Sequence, residues 1–200
     1  MSRAPFLLAP LDAAHDRAGF HCGVAPLDRY LKKQATQDIR RRVAACFVAL
    51  ADGQRIAGYY TLASASVLLA DLPPEVEKKL PRYPSVPAVR LGRLAVDQAF
   101  QGQGLGGALL ADALARAARA EIAAFALLVD AKDEAAAAFY RHHGFLALPD
   151  SPRTLFLPLS AGGAFLSDGH RTGWRRGTAG AWGAEWAAGM PQPAVFVRGQ

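Results

Sequence analysis

The run RLGRLAVDQAFQGQGLGGALL, residues 90–110, places four glycines between Gly102 and Gly107, directly after an apolar stretch and directly before an alanine- and leucine-rich one. Glycine at that density disfavours a strand or a helix running straight through, because an interior glycine costs roughly 0.5–1 kcal/mol relative to alanine. The chain is therefore expected to turn here, from a strand into a helix. A glycine-rich turn entering a helix leaves several backbone N–H groups without carbonyl partners, and the helix dipole adds partial positive charge at the same end. The segment is a candidate phosphate cradle, with a purely structural tight turn as the alternative. No G-x-x-x-x-G-K-[ST] run occurs, which excludes a Walker site, and no acidic ribose ligand is read downstream to support a dinucleotide turn.

Around this turn the apolar pattern predicts mixed α and β elements. PFLLAPL reads as a strand, residues 26–41 as a helix, and VAACFVAL with IAGYYTLASASVLL as a hairpin turning at Asp52-Gly53. A short helix from Pro74 to Leu80 interrupts a loop rich in proline and charge. AVRLGRLAV is a strand, 104–120 a helix, AFALLVDA a strand, and DEAAAAFYRHH a helix closed by Gly144; GFLAL and TLFLPL finish as strands. The order implies an α/β chain of the mixed, α+β kind, with one sheet flanked by helices. In the 104–120 helix, Leu109, Leu110, Ala113 and Ala117 are expected to face the sheet, and Asp112, Arg116 and Arg119 to face water. Residues 1–160 read as one domain. Residues 161–200 hold all three tryptophans and nine of the nineteen glycines, with no sustained period, and are expected to be an irregular or disordered extension that Trp174, Trp182 and Trp186 could anchor.

With 52% hydrophobic residues, the chain can bury one good core. No apolar run approaches the roughly 20 residues of a membrane span, and the first ten residues hold too short an apolar core for a secretory signal. A cytoplasmic protein without membrane contact is the expectation, and Cys22 and Cys46 are expected to be free thiols. The net charge of +6 favours anionic partners. It is concentrated in DRYLKKQATQDIRRR, where helical spacing puts Leu27, Leu31, Ala35 and Ile39 on one stripe and Arg29, Lys33, Thr36 and Arg40 on another, reinforced by Lys32, Arg41 and Arg42. A solvated face and an anion-binding face are both open at this point.

The spacing Gln101-x-x-Gly104-x-Gly106 resembles the Gln/Arg-x-x-Gly-x-Gly/Ala signature of the GNAT family of N-acetyltransferases. The context is similar too: LGRLAVD before the turn, a helix after it, then ALLVDA, then AAAAFYRHHGF, so that the resemblance covers roughly residues 5–159. FHCGVAPLDRYL, GYYTLASASV and GRLAVDQAFQGQGLG look like the members that act as toxins of bacterial toxin–antitoxin pairs and acetylate the α-amino group of aminoacyl-tRNA. The resemblance implies a mostly antiparallel mixed sheet with a splayed strand pair, and acetyl-CoA as cosubstrate. It places the pyrophosphate on Gln101, Gly102, Gln103, Gly104, Leu105 and Gly106, and the pantetheine arm on the backbone of Leu94, Ala95 and Val96. It makes Tyr140 the general acid, with a plain core aromatic of the alanine helix, as Phe139 is read, the alternative, and it sets Arg90 and Arg93 near the acceptor, where a plain salt bridge is the equal alternative. Arg29, Lys33 and Arg40 would then bind acceptor phosphates, and a homodimer and a cognate antitoxin are the implied partners.

The chemistry itself makes modest demands. Acetyl transfer from a thioester to an amine needs a neutral amine, a polarised carbonyl and a proton for the departing thiolate. An α-amino group of pKa roughly 7.7–8.0 is already partly neutral at working pH, so the absence of an obvious base is tolerable. His142 and His143 have no third ligand at metal spacing, so no metal is expected, and Ser64 and Ser66 have no triad pattern. Two other functions remain: acetylation of a small-molecule amine or protein N-terminus, and non-catalytic nucleic-acid binding with the glycine turn merely structural.

Overall fold

A computed structural model describes residues 6–159 together with Trp174–Arg176 and Ala181–Ala184. Seven strands arise from the apolar runs: β1 (Phe6–Pro10), β2 (Ala45–Ala51), β3 (Arg55–Leu68), β4 (Ser85–Val96), β5 (Ala126–Asp130), β6 (Leu146–Leu148) and β7 (Ser151–Pro158). They form one sheet in the order β6-β7-β5-β4-β3-β2-β1. Every pairing among them is antiparallel except that of β4 with β5. In the segment expected to be irregular, two short strands stand instead, β8 (Trp174–Arg176) and β9 (Ala181–Ala184), and β9 pairs with β1. The remainder of the 161–200 expectation, Trp186 included, lies outside the described residues.

Alternation along the strands sorts the helices onto two faces. Tyr60 packs in one cluster with Leu109, Ala113 and Tyr140, whereas its neighbour Tyr59 packs in another with Leu27, Leu31 and Ala35. The first face is covered by α4 (Leu105–Ala118) and α5 (Glu134–His142), the second by α1 (Ala25–Arg29) and α2 (Ala35–Arg40). The single helix expected over 26–41 is thus divided by a π turn at Tyr30–Gln34, closed by the Ala35 N–H on the Tyr30 carbonyl. Leu27, Leu31 and Ala35 are fully buried and Ile39 partly so, while Arg29, Lys33 and Arg40 are exposed. The helix expected from Pro74 to Leu80 is shorter, α3 (Pro74–Glu77).

One bulge in β4 organises the centre of the sheet. Thr61 of β3 pairs with Arg93 and Leu62 with Leu91, so Gly92 is the extra residue. A bulge bends its strand and increases its twist, and the crowding here suits glycine, since a Cβ would sit 3.0 Å from Thr61 Oγ1. Pairing of β4 with β5 runs from Ala88 to Leu91 and stops there, while pairing with β3 continues to Val96. The two parallel strands therefore splay, and residues 92–96 present an edge toward β5 without a strand partner. The bulge also changes facing. Arg90 and Arg93, three residues apart, would point to opposite faces of a regular strand, and the extra residue turns both to the α1–α2 face.

Asp112 corrects the amphipathic reading of α4. It is not in water but 2% exposed, accepting from the Tyr60 hydroxyl at 2.5 Å and from Arg116 Nε at 2.8 Å. Arg116 is partly buried, with its guanidinium 4.1 Å from the Phe47 ring centroid, and Arg119 alone of the three is exposed. Helical spacing could not anticipate this, because the partner hydroxyl comes from a strand 52 residues earlier.

Candidate active site

The glycine turn joins the splayed end of β4 to α4. Asp97 receives the Ala99 N–H at 3.0 Å and opens a short 3-10 turn, Gln98–Phe100, after which Gly102 and Gly104 take left-handed φ of 72° and 78°. Those angles are available to glycine at little cost. An added Cβ at Gly102 would meet nothing within 4 Å. Gly104 caps α4 without any side-chain hydrogen bond, and among the described residues no acceptor is found for the N–H groups of Gly102, Gln103, Gly104, Leu105, Gly106 or Gly107. These donors sit at the N-terminus of a 14-residue helix, an arrangement chemically able to hold an anion. The Gln101 side chain does something else: its Nε2 donates to the carbonyls of Val96 and Cys22.

Tyr140 lies on the buried face of α5, whose N-terminus is capped by Asp133 accepting from the Ala136 N–H at 2.8 Å. The alanines of this helix let it pack closely, and Tyr140 is fully buried with Phe139 and Phe145 edge-on to its ring, in the same cluster as Leu91, Leu94 and Val129 of the splayed strands. Among the described residues its hydroxyl has no hydrogen-bond partner. Among the described residues only one other buried side-chain polar atom is in that position, Gln103 Oε1. Native proteins rarely leave such atoms unpaired, and both belong to the segments that the sequence assigns to cofactor and catalysis. Burial pushes the Tyr140 hydroxyl well above the ordinary tyrosine range, so it stays protonated at neutral pH.

On the opposite face the acceptor-side arginines separate. Arg90 pairs with Asp130, the salt-bridge alternative for that residue. Arg93 lies over the Tyr30 ring, 3.6 Å from its centroid, and has no carboxylate partner among the described residues. Tyr30 in turn donates to Asp38 Oδ2 at 3.0 Å, and burial raises its pKa. Arg17, which the sequence did not single out, donates to Thr36 Oγ1 at 2.5 Å on the same helical surface, and with Arg93 it opposes the burial that pushes the Cys46 thiol up to about 12. Arg29, Lys33 and Arg40 are exposed and have no carboxylate within ion-pair distance among the described residues. No group of three potential metal ligands occurs among the described residues.

The arrangement fits acetyl-CoA on three counts: donors for a pyrophosphate, an open strand edge for the two amides of the pantetheine arm, and a buried hydroxyl beside the splay with no partner among the described residues. The chain belongs to the acetyltransferase (GNAT) family, whose model matches residues 14–145, and it is an acetyl-CoA-dependent N-acetyltransferase with the fold of that family. Among its relatives, it is similar to the tRNA-acetylating toxin of Mycobacterium tuberculosis strain H37Rv, with 41% identity over 157 residues covering 78% of this chain and 93% of that protein. Its structure is similar to that of AtaT complexed with acetyl-methionyl-tRNAfMet, at 30% identity and a TM-score of 0.75, over 80% of this chain and 99% of that one. It is also similar to a tyrosine-to-phenylalanine variant of the toxin AtaT bound to the C-terminus of the antitoxin AtaR and acetyl-CoA, at 26% identity and a TM-score of 0.70, over 82% and 100% of the two chains.

Proposed function

We propose that this protein is a toxin that transfers the acetyl group of acetyl-CoA to the α-amino group of aminoacyl-tRNA and so blocks translation. The observation that carries this reading is the exposed stripe of Arg29, Lys33 and Arg40 on the face that also bears Arg93, where an acceptor with many phosphates finds cations not neutralised by carboxylates among the described residues. The relatives whose names specify tRNA support it. Acetyl-CoA supplies an activated acyl thioester. The N–H groups of residues 102–107 hold its pyrophosphate, the Leu94–Val96 edge aligns its arm, and the buried Tyr140 hydroxyl gives the departing sulfur its proton. Burial holds Tyr140 protonated and also makes a thiolate beside it more basic, so donor and acceptor shift in the same direction. An antitoxin that binds through its C-terminus, as the C-terminus of AtaR is bound to AtaT, is the proposed protein partner, and a homodimer in the cytoplasm is the proposed working form. Among the described residues no helix is long and apolar enough to cross a membrane.

The test is mass spectrometry of a charged-tRNA pool after incubation with the enzyme and acetyl-CoA, together with acceptor KM as a function of salt. Acetylated aminoacyl-tRNA is expected, with KM rising steeply with salt and the log–log slope reduced by about 1–2 when Arg29 and Lys33 are both changed to glutamine. Acetylation confined to small amines or protein N-termini, with a salt-insensitive KM, overturns the tRNA reading and leaves the acetyltransferase intact.

A further inference from the structure

The motif FHCGVAPLDRYL, residues 20–31, takes no direct part in acetyl transfer, yet its first polar residues are bonded to both substrate sides. His21 gives its N–H to Asp97 Oδ2 at 2.8 Å, and its carbonyl accepts from the Gln98 N–H at 2.9 Å. Cys22 gives its N–H to Asp28 Oδ1 at 2.8 Å, and its carbonyl accepts from Gln101 Nε2 at 3.1 Å. The same Nε2 donates to the carbonyl of Val96, the last residue of β4, at 2.9 Å. Gly23, at φ 88°, lets this loop pass so near the turn that a Cβ would fall 2.6 Å from Gln98 Nε2. Asp28 is the anchor on the other side. It belongs to α1, is 8% exposed, and also meets His21 Nδ1 at 2.8 Å. The Cys22 thiol, pushed up to about 12 by burial and by Asp28, stays protonated and packs.

We infer that Gln101 is a positioning residue: its amide ties the open end of the cofactor strand to the 21–22 backbone, which Asp28 fixes to the acceptor helix. A primary amide has two N–H donors on one nitrogen, and here both are engaged by carbonyls from segments 74 residues apart in sequence, Cys22 and Val96. A carboxylate would repel both carbonyls, and an apolar side chain would leave both unpaired. Arginine, with several donors and no acceptor, can satisfy them. The distance between the strand edge and the glycine turn is thus set by a contact that does not touch the cofactor. This inference rests on acetyl-CoA binding along that edge.

The experiment is calorimetric titration of the full chain with acetyl-CoA, paired with steady-state kinetics, on wild type, Gln101→Leu, Gln101→Arg, Asp28→Ala and the Gln101→Leu/Asp28→Ala double variant. Gln101→Leu is expected to weaken acetyl-CoA binding about tenfold, from two lost hydrogen bonds, and to raise its KM while kcat at saturation stays within about twofold. Gln101→Arg is expected to recover binding to within about threefold of wild type. Asp28→Ala, remote from the cofactor, is expected to weaken binding too, and the double variant to be little worse than Gln101→Leu alone, because both act through Cys22. Should Asp28→Ala fail to fold, the leucine–arginine comparison carries the test. Wild-type affinity in Gln101→Leu overturns the inference, as does equal weakness of the leucine and arginine variants, which would mean that the amide contacts the cofactor itself. Failure of the wild type to bind acetyl-CoA overturns the cofactor reading instead.

Discussion

Tyr140 lies in the last turn of α5 and His143 caps the C-terminus of that helix, and their surroundings give them different tasks. The Tyr140 hydroxyl is buried, protonated and without a hydrogen-bond partner among the described residues, so Tyr140→Phe keeps the packing of the ring and removes only the proton donor. Turnover is expected to fall roughly 10²–10⁴-fold with little change in acetyl-CoA affinity, read by steady-state rates beside a binding titration. Wild-type turnover would return Tyr140 to the core. His143 holds α5 against the first turn of α4: its Nδ1 lies 2.8 Å from the Phe139 carbonyl, and a Cβ at Gly107 would sit 3.3 Å from its Nε2. Burial depresses its pKa below 6.5, with His142 adding to the effect. The folded state then binds fewer protons than the unfolded chain, so the stability His143 contributes is full above 6.5 and is lost as pH falls through its lower folded value. His143→Gln is expected to flatten the fall in melting temperature between neutral pH and about pH 5. An unchanged pH slope would show that His143 does not titrate there. At this scale the sequence made Tyr140 legible through its place in AAAAFYRHHGF. It hid Asp112, the Gln101 amide and Arg17, whose roles depend on Tyr60, Cys22 and Thr36, each distant along the chain.

The strand, turn and helix around the glycines were legible because glycine carries its conformational meaning locally: Gly102 and Gly104 take left-handed angles that other residues adopt only under strain. That difference selects the better mutation. Valine at Gly104 would combine backbone strain with obstruction, whereas Gly106 has no left-handed φ and sits in the first turn of α4. Gly106→Val is therefore expected to lower acetyl-CoA affinity at least about tenfold while α4 still forms, checked by calorimetry and circular dichroism; undiminished affinity would remove the cradle. The Gly92 bulge and the π turn were not legible. A bulge is a mismatch between two strands, and its signal lies in the register of β3 against β4 rather than in either sequence. The π turn likewise is one extra residue inside a helix whose apolar stripe, Leu27, Leu31 and Ala35, still reads as regular.

Across the whole molecule, the candidate site sits at the β4–β5 splay, whereas β9 joins the sheet beyond β1, with three strands, β3, β2 and β1, between it and β4. We propose that residues 1–160 form the complete catalytic domain. Truncation after Ser160 is then expected to leave acetyl-CoA affinity within about twofold and the melting temperature within a few degrees, as thermal unfolding and titration would show. A large fall in either would make the last forty residues part of the domain. The fold class was legible from the order of periodic segments, because each apolar run was long enough to declare its period. The assignment of helices to opposite faces emerged only with Tyr59 and Tyr60, adjacent residues in different clusters. That two-sidedness bears on the order of events. On the proposed assignment one substrate lies along the splayed edge and the other arrives from the α1–α2 side, so neither must leave for the other to enter. Both can be seated together, the acyl group can pass directly between them at the splay where β4 and β5 part beyond Leu91, and the protein has no need of an acetylated side chain of its own.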